Sequence, residues 1–392
     1  MRVLIFSASS LWFFSGVAIA GPREECLEQF EPQSRIEACT EALKANPKDL
    51  EVLVARAMGN LFMGRTDEAR ADVNAGLAVD PKFAPLYDLR GAIHLYLEKT
   101  ELAIADGTKA LELAPDLHET RRWVAVALFD LNRRLEGLSL LTAGIRRYPN
   151  DPGIAKLYVA RAQELQKFDG LVLALYDYGK VVELDGDHLT ARIERAKIYR
   201  LLGDYQRAIA DLAHVIELRG QKSGVLAIRD RLDLVTLLAA TNDLAAAAKH
   251  AREVVEFLET EAAKKEVSEY DQLLWRARAR ITGNVEPEKA LSDLDQIFKS
   301  SSDDADAYLY RAMLHNIAKR FDAALSDCKA AIYDGPHDAE ALRQIKLAHY
   351  QCGIAHEGRG AAANAVAAYK SAAAAPGLPE ALVALKRLNA SP

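Results

Sequence analysis

A period of 34 residues runs through much of this chain and constrains its fold more than any other feature. Proline or glycine marks the end of successive segments, at Pro47, Pro81, Pro115, Pro149, Gly186 and Gly220. An insertion of three residues near position 150 shifts the last two members of the series. Periods of roughly 20 to 50 residues are typical of repeat arrays. The 392 residues therefore count stacked units rather than conventional domains.

Inside each unit the same residues return at the same offsets. An arginine precedes a small residue, an alanine follows the arginine by 13 positions, and an aspartate follows it by 16. The arginine–aspartate pairs are Arg56 with Asp72, Arg90 with Asp106, Arg161 with Asp177, Arg195 with Asp211, and Arg311 with Asp327. Arg276 and Asp293 come close to the same spacing. Because the pair recurs so regularly, we interpret it as bidentate structural pairing rather than as a binding site.

Each unit is predicted to be a pair of amphipathic helices. In residues 189–220, apolar or small residues recur at helical spacing on both sides of Gly203. Gly203 suits the left-handed conformation that ends a helix, and Ala196 and Ala208 allow the two helices to approach closely. One such pair cannot bury its apolar face alone, so neighbouring pairs must stack into a continuous core.

The period and these residues resemble the tetratricopeptide repeat. The segments 195–199, 203–205 and 208–211 carry the resemblance best. It implies an all-α fold, an α-solenoid of helix-turn-helix repeats wound into a right-handed superhelix. Together with the leader described below, it suggests an exported bacterial member of the family.

The resemblance predicts a single solenoid over residues 21–392, made of ten units and a closing helix. Its expected parts are an incomplete first unit at 21–49, clear repeats at 50–117, looser ones at 118–186, a clear repeat at 189–220, an irregular region at 221–304, a clear repeat at 305–336, and a last unit with the closing helix at 337–390.

The first twenty residues read as a secretory signal peptide. Arg2 precedes a largely apolar stretch that ends in Ala18-Ile19-Ala20, and small residues at these positions are typical of a cleavage site. An uncleaved membrane anchor is the alternative, although the stretch is short for a span and interrupted by serines. We therefore expect an exported protein, periplasmic or secreted, cleaved after Ala20.

The four cysteines fall into two pairs near the two ends of the array. In the repeat register, Cys39 and Cys328 hold equivalent second-helix positions, while Cys26 and Cys352 lie on adjoining helices. Both pairs can therefore lie across a helix–helix contact, and export favours disulfides Cys26–Cys39 and Cys328–Cys352. Four buried free thiols are the alternative. No Cys-x-x-Cys motif points to a metal.

The sequence predicts no enzyme, cofactor or metal site. It contains no phosphate-binding loop, nucleophile elbow or His-Glu-x-x-His motif. Of its nine histidines, the closest group is His337, His349 and His356, which we interpret as structural or solvent-facing. A net charge of −6 provides no basic surplus for nucleic acid.

The resemblance also implies a concave face, built mainly by the first helix of each pair, where a protein or peptide partner binds. Transferring the family's inward positions through the repeat register gives Val54, Met58, Leu61 and Phe62; Asp88, Ala92 and Tyr96; Arg122, Val126, Phe129 and Asp130; Ile193, Lys197 and Arg200; and Leu309, Met313 and Asn316. The paired lysine and asparagine with which some members grip a terminal carboxylate are absent, since these positions hold Val54, Met58, Asp88 and Ala92.

An apolar groove of this kind favours an amphipathic helix or an extended apolar segment as the ligand. Packing of these side chains on the chain's own neighbouring helices is the alternative. For the whole protein we expect a non-enzymatic scaffold or adaptor, and family analogy suggests a role in envelope assembly or secretion. A structural homo-oligomer that assembles through irregular or terminal repeats is the second interpretation.

Overall fold

The computed structural model describes residues 21–168, 170–220, 224–332, 339–374 and 378–391. These residues form α-helices joined by short turns, with one 3₁₀ turn at Pro152–Ile154 and no strand among them. The predicted signal peptide at 1–20 and His337 lie outside the described residues. The all-α repeat fold expected from the sequence is confirmed.

The chain divides into two compact units, the first ending at Glu164 and the second beginning at Leu165. The helices up to this division are α1 (Pro22–Glu28), α2 (Pro32–Ala45), α3 (Leu50–Phe62), α4 (Thr66–Val79), α5 (Ala84–Tyr96), α6 (Thr100–Leu113), α7 (His118–Asp130), α8 (Arg134–Arg147) and α9 (Ala155–Gln166), the last of which ends two residues beyond it.

The helices of the second unit are more varied in length. They are α10 (Leu171–Leu184), α11 (Leu189–Leu201), α12 (Tyr205–Arg219), α13 (Val225–Ala240), α14 (Leu244–Leu258), α15 (Glu261–Glu266), α16 (Glu269–Thr282), α17 (Pro287–Ser300), α18 (Ala305–Ile317), α19 (Phe321–Ala330), α20 (Ala339–Gly358), α21 (Ala362–Ala373) and α22 (Pro379–Arg387).

Along the described chain these helices follow one another as ten pairs, with α15 and α22 outside the pairing. The region 221–304, which the sequence marks as irregular, contains the pairs α13–α14 and α16–α17 with the short α15 inserted between them. The departure from the period in this region therefore reflects longer helices and one inserted helical turn. It does not reflect a different kind of fold.

A left-handed residue ends the first helix of most pairs. Gly203 has φ 77°, as the sequence predicts, and Gly64, Glu98 and Asn132 occupy the same place 34 residues apart with φ 73°, 58° and 58°. The following N–H then bonds back across the turn, as in Arg65 N to Asn60 O at 2.8 Å. This geometry caps the helix and sets the short connection to its partner.

The predicted arginine–aspartate pairing is confirmed for four of the five repeats. In each pair the guanidinium Nε lies 2.8–3.0 Å and Nη2 2.6–2.8 Å from the two carboxylate oxygens. The pairs are Arg56–Asp72, Arg90–Asp106, Arg195–Asp211 and Arg311–Asp327. Each joins the first helix of a pair to the second, so the contact is part of the repeat's internal frame.

One variation on this frame occurs at Asp293. Asp293 accepts bonds from Arg276, with Nε at 3.0 Å, and from the buried Arg280. Asp177, the aspartate of the fifth predicted pair, is buried as well. The aspartate at this position is thus buried in all six of these repeats.

Glycines of one repeat accommodate large side chains of the next. Trp123 of α7 lies against Gly91 of α5 and Gly107 of α6: a Cβ on these glycines would come within 2.7 Å and 2.4 Å of the indole. Neither glycine has a positive φ, so their role is to leave space. The indole therefore fills a slot that spans two helices of the preceding pair.

All four cysteines are joined in disulfides, and the bonded pairs are the two named from the sequence. Cys26–Cys39 links α1 to α2 and Cys328–Cys352 links α19 to α20, with Cα separations of 4.6 Å and 5.6 Å. All four side chains are buried. Among the residues that the structure describes, no helix is long and apolar enough to cross a membrane.

Candidate partner-binding surface

The first unit contains an apolar pocket of about 410 Å³. Its apolar wall consists of Leu27 from α1, Val54, Ala55 and Met58 from α3, and Phe83 and Pro85 at the start of α5. Arg35 of α2 and Glu51 of α3 complete its lining. The pocket thus brings together Val54 and Met58, two of the residues predicted to face inward.

Two aromatic side chains lie exposed farther along the same first helices. Phe62 at the end of α3 is 52% exposed and Tyr96 at the end of α5 is 57% exposed. They belong to neighbouring repeats, and a Cβ placed on Gly64, two residues after Phe62, would lie 3.5 Å from the Tyr96 hydroxyl. Val126 in α7 is also exposed, whereas Leu61 packs partly buried against the core.

Other predicted groove residues of the first unit hold its repeats together. The Asp88 carboxylate accepts bonds from Thr120 Oγ1 at 2.6 Å and Trp123 Nε1 at 2.9 Å, both in the next repeat. Burial raises the pKa of the Asp88 carboxyl, although these two hydrogen bonds oppose the rise. Ala92 is buried.

Two further candidates in α7 lie in ordinary packing and surface environments. The Phe129 ring packs so closely on Gly137 that a Cβ there would lie 2.4 Å from the ring. Arg122 binds Glu119 one turn away, with Nε at 2.9 Å, and Asp130 is exposed. Among the predicted groove residues of this unit, the exposed apolar side chains are therefore Phe62, Tyr96 and Val126.

In the second unit, two of the predicted groove residues, Lys197 and Arg200, form ion pairs. Asp233 of α13 lies between Arg278 of α16 and Arg200 of α11, at 2.8 Å and 3.6 Å. Burial opposes ionisation of Asp233, but the two arginines outweigh it and lower the pKa of the carboxyl. Lys197 binds Glu194 at 2.7 Å, and Ile193 is half-buried.

In the late repeat at 305–336, the predicted groove residues also contact other residues of the chain. Leu309 is buried, and Met313 packs against the core of α16 to α18. The Asn316 amide donates to the backbone oxygen of Gln351 at 3.0 Å and to its side-chain oxygen at 2.9 Å, which ties α18 to α20. These candidates therefore contact other parts of the second unit itself.

Of the eight residues that line the pocket, only Val54 and Met58 were predicted from the sequence, and the other six were missed. Leu27 and Arg35 belong to the shortened first unit, from which no groove residue was transferred, and Phe83 immediately precedes α5. The only available signal was the apolar character of Leu27 and Phe83 beside helices already assigned to the array.

No catalytic or metal-binding constellation is evident among the described residues. They contain no cluster of three or more histidine, cysteine or acidic side chains arranged to hold a metal ion. Burial lowers the pKa of His349 and of His356, which favours their neutral forms at neutral pH.

Comparisons with known proteins agree with this architecture. The family model for the tetratricopeptide repeat matches residues 189–222. The chain is similar to the DnaJ homolog subfamily C member 7 homolog of Schizosaccharomyces pombe, with 27% identity over 46% of this chain and 40% of that protein. It is also similar to the Hsp70-Hsp90 organizing protein of Triticum aestivum, with 27% identity over 29% of this chain and 20% of that protein.

Solved structures with a similar fold include a tetratricopeptide repeat protein from Parabacteroides merdae, at 16% identity and a TM-score of 0.46 over 68% of this chain and 98% of that one. Another is Pseudomonas aeruginosa pilF, at 18% identity and a TM-score of 0.44 over 58% of this chain and 99% of that one. The chain spans less than half the length of the two named sequence relatives.

The paired helices, the left-handed turns and the recurring buried carboxylate define an all-α repeat architecture. Residues 189–222 match the tetratricopeptide repeat model, and other helix pairs carry the same arginine–aspartate contact. The chain is therefore similar to tetratricopeptide-repeat proteins.

Proposed function

We propose that this chain is a non-enzymatic, exported scaffold or adaptor that binds a protein or peptide partner through the inner surface of its first unit. One observation carries the proposal: the apolar pocket beside Val54 and Met58, with Phe62 and Tyr96 exposed on the same helices. Contiguous exposed apolar surface of this kind is characteristic of interaction sites.

Export is part of the same proposal. It is supported by the predicted signal peptide at 1–20 and by two disulfides, which persist in oxidising compartments. A role in the assembly or secretion of cell-envelope components would suit an exported adaptor, and it rests on family analogy.

A double substitution tests the binding surface. Phe62→Asp with Tyr96→Asp places two charges on the surface, and we expect partner capture from an envelope extract to fall by at least about tenfold because hot-spot aromatics carry much of the binding energy. Both side chains are more than half exposed, so the helical circular dichroism signal is expected to stay unchanged.

Leu102→Asp is the matched control, since Leu102 is also 52% exposed but lies on α6, the second helix of its pair. Undiminished capture by the double variant would refute the proposal. Light scattering on the same preparations examines the alternative, a homo-oligomer that assembles through irregular or terminal repeats. A stable multimer that the double substitution leaves intact would favour that alternative.

A further inference from the structure

We propose that the apolar pocket binds an internal peptide segment that inserts one apolar side chain beside Leu27, Val54 and Met58 and places an aspartate or glutamate, one helical turn away, on Arg35. This rests on the proposed function and specifies the chemistry of the partner. It goes beyond the repeat register, because Arg35 lies on α2 of the incomplete first unit and has no counterpart among the predicted groove residues.

The surroundings of Arg35 favour the binding of a carboxylate by its guanidinium. Its guanidinium is half-buried, and Nε donates to the backbone oxygen of Gln29 at 2.7 Å. Among the residues that the structure describes, no carboxylate lies within 4.0 Å of it. Burial lowers the pKa of Arg35, with no nearby anion to offset the effect. A partly desolvated cation that lacks an anionic partner gains more from a charge-assisted hydrogen bond than an exposed one does.

Glu51, which also lines the pocket, has the opposite charge to Arg35. Glu51 is already paired with Arg23, which also binds Asp49 at 2.9 Å. Two carboxylates share this one guanidinium, so a further acidic group would be repelled there. Charge complementarity therefore orients the peptide, with its acidic residue toward Arg35 and away from Glu51.

The dimensions favour a side chain of a continuing peptide. A volume of about 410 Å³ lies in the range of ligand pockets, roughly 300–1,000 Å³, and is too small for a folded element. Met58 in the pocket and the exposed Phe62 are one helical turn apart on α3. A segment anchored in the pocket can thus continue over Phe62, which a peptide ending at Arg35 would not do.

The experiment is a selection on the full chain from a displayed library of random 15-residue peptides. We expect the enriched peptides to share an apolar residue with an aspartate or glutamate three or four positions away. Selection on Arg35→Gln is expected to retain the apolar residue and lose the acidic preference. Arg35→Lys, which keeps the charge, is expected to retain that preference.

Affinity measurements on one selected peptide then isolate the ion pair. Replacing its acidic residue by the amide is expected to weaken binding to the wild-type chain by about tenfold, and to change binding to Arg35→Gln by less than about twofold. Arg70→Gln is the control, because Arg70 is exposed on α4 and binds Asp67 within its own helix.

The outcomes separate this inference from the proposed function. Some enriched peptides should lose binding to Leu27→Asp, which shows that they occupy the pocket. If these peptides carry no acidic preference, the role of Arg35 is overturned and the pocket remains a binding site. Acidic groups enriched only as a free C-terminus would overturn the internal segment. Failure to enrich any peptide sensitive to Leu27→Asp would overturn both proposals. Circular dichroism verifies that each variant is folded.

Discussion

The two compact units use the same kind of helix pair and the same internal arginine–aspartate contact, yet the residues predicted to face inward differ between them. In the first unit, Val54 and Met58 line an apolar pocket and Tyr96 is exposed. In the second unit, Arg200 binds Asp233 and Asn316 binds Gln351. The difference shows that the repeat backbone fixes where a side chain lies, while residue type decides whether it binds a partner or its own neighbours.

This separation of roles has an energetic basis. The buried carboxylates accept two or more hydrogen bonds from arginine and cannot be exchanged without cost. Exposed apolar residues make few contacts, and their replacement changes stability little. The frame can therefore stay constant while the inner surface diverges, which is the general advantage of repeat architectures.

The largest effect is expected from removing a frame carboxylate. Asp211 binds both Arg195 and Arg192. Asp211→Ala removes the carboxylate that pairs with these two partly buried guanidinium groups, so it should lower the free energy of unfolding by about 3–5 kcal/mol. Among the described residues, Asp72 pairs with Arg56 alone, which is better hydrated, so Asp72→Ala should cost about half as much. Hydrogen exchange followed along the chain can assign each loss to its own unit.

Asp67→Ala is the control for both, because the Asp67–Arg70 pair is exposed and should contribute about 0–1 kcal/mol. Equal protection of α11 and α12 in wild type and Asp211→Ala would show that the pair is not part of the frame. Equal losses for Asp72→Ala and Asp211→Ala would show that the second guanidinium adds nothing.

A smaller effect, of opposite sign in the two units, is expected from two glycines. Gly107→Ala places a Cβ 2.3 Å from Val124 and 2.4 Å from Trp123, so overpacking should destabilise the first unit by about 1–3 kcal/mol. Gly179 in α10 has no atom within 4 Å of such a Cβ, so Gly179→Ala should stabilise the second by about 0.5–1 kcal/mol. Urea denaturation of both variants measures the difference. Destabilisation by both would indicate that Gly179 contacts something in solution.

The smallest expected change in stability depends on pH, and it has opposite signs at Asp88 in the first unit and Asp233 in the second. Burial raises the pKa of Asp88, so the folded first unit loses stability as pH rises from the ordinary aspartate range through that raised value. Asn retains the Oδ1 that accepts from Thr120 and Trp123, and Asp88→Asn should therefore stabilise by up to about 1 kcal/mol at pH 7.

The Asp233 carboxyl has a lowered pKa, so its contribution is present above the ordinary aspartate range and is lost as pH falls through that lowered value. Asp233→Asn should accordingly destabilise by about 1–2 kcal/mol at pH 7. Both differences from wild type should shrink toward pH 3, which thermal melts at several pH values can follow. Effects of the same sign at pH 7 would contradict the contrast between the units.

The sequence was sufficient for features that recur with the period. The left-handed turn at Gly203, the arginine–aspartate contact and the helix pairs each recur at fixed offsets. The clear repeat at 189–220 therefore predicts the same features in the other repeats. The cysteine pairs followed from the same register, because it places Cys39 and Cys328 at equivalent positions on second helices.

Contacts between repeats could not be predicted in the same way. Asp88 binds Thr120 and Trp123 of the next repeat, and Asn316 binds Gln351, through residue types that do not recur at those positions. Arg35 lies on the second helix of its pair, whereas the predicted groove residues were taken from first helices. Such contacts depend on the side chains that happen to meet, which a periodic pattern does not encode.

The slot that holds Trp123 has a consequence for the order of the repeats. Its two walls, Gly91 and Gly107, belong to one helix pair and the indole to the next, so the three residues match only when those pairs are adjacent. Inserting a different helix pair at this junction would preserve the period and still separate the tryptophan from its glycines. The pairs are alike in plan but not interchangeable, since side-chain volume at each junction specifies which pair must follow which.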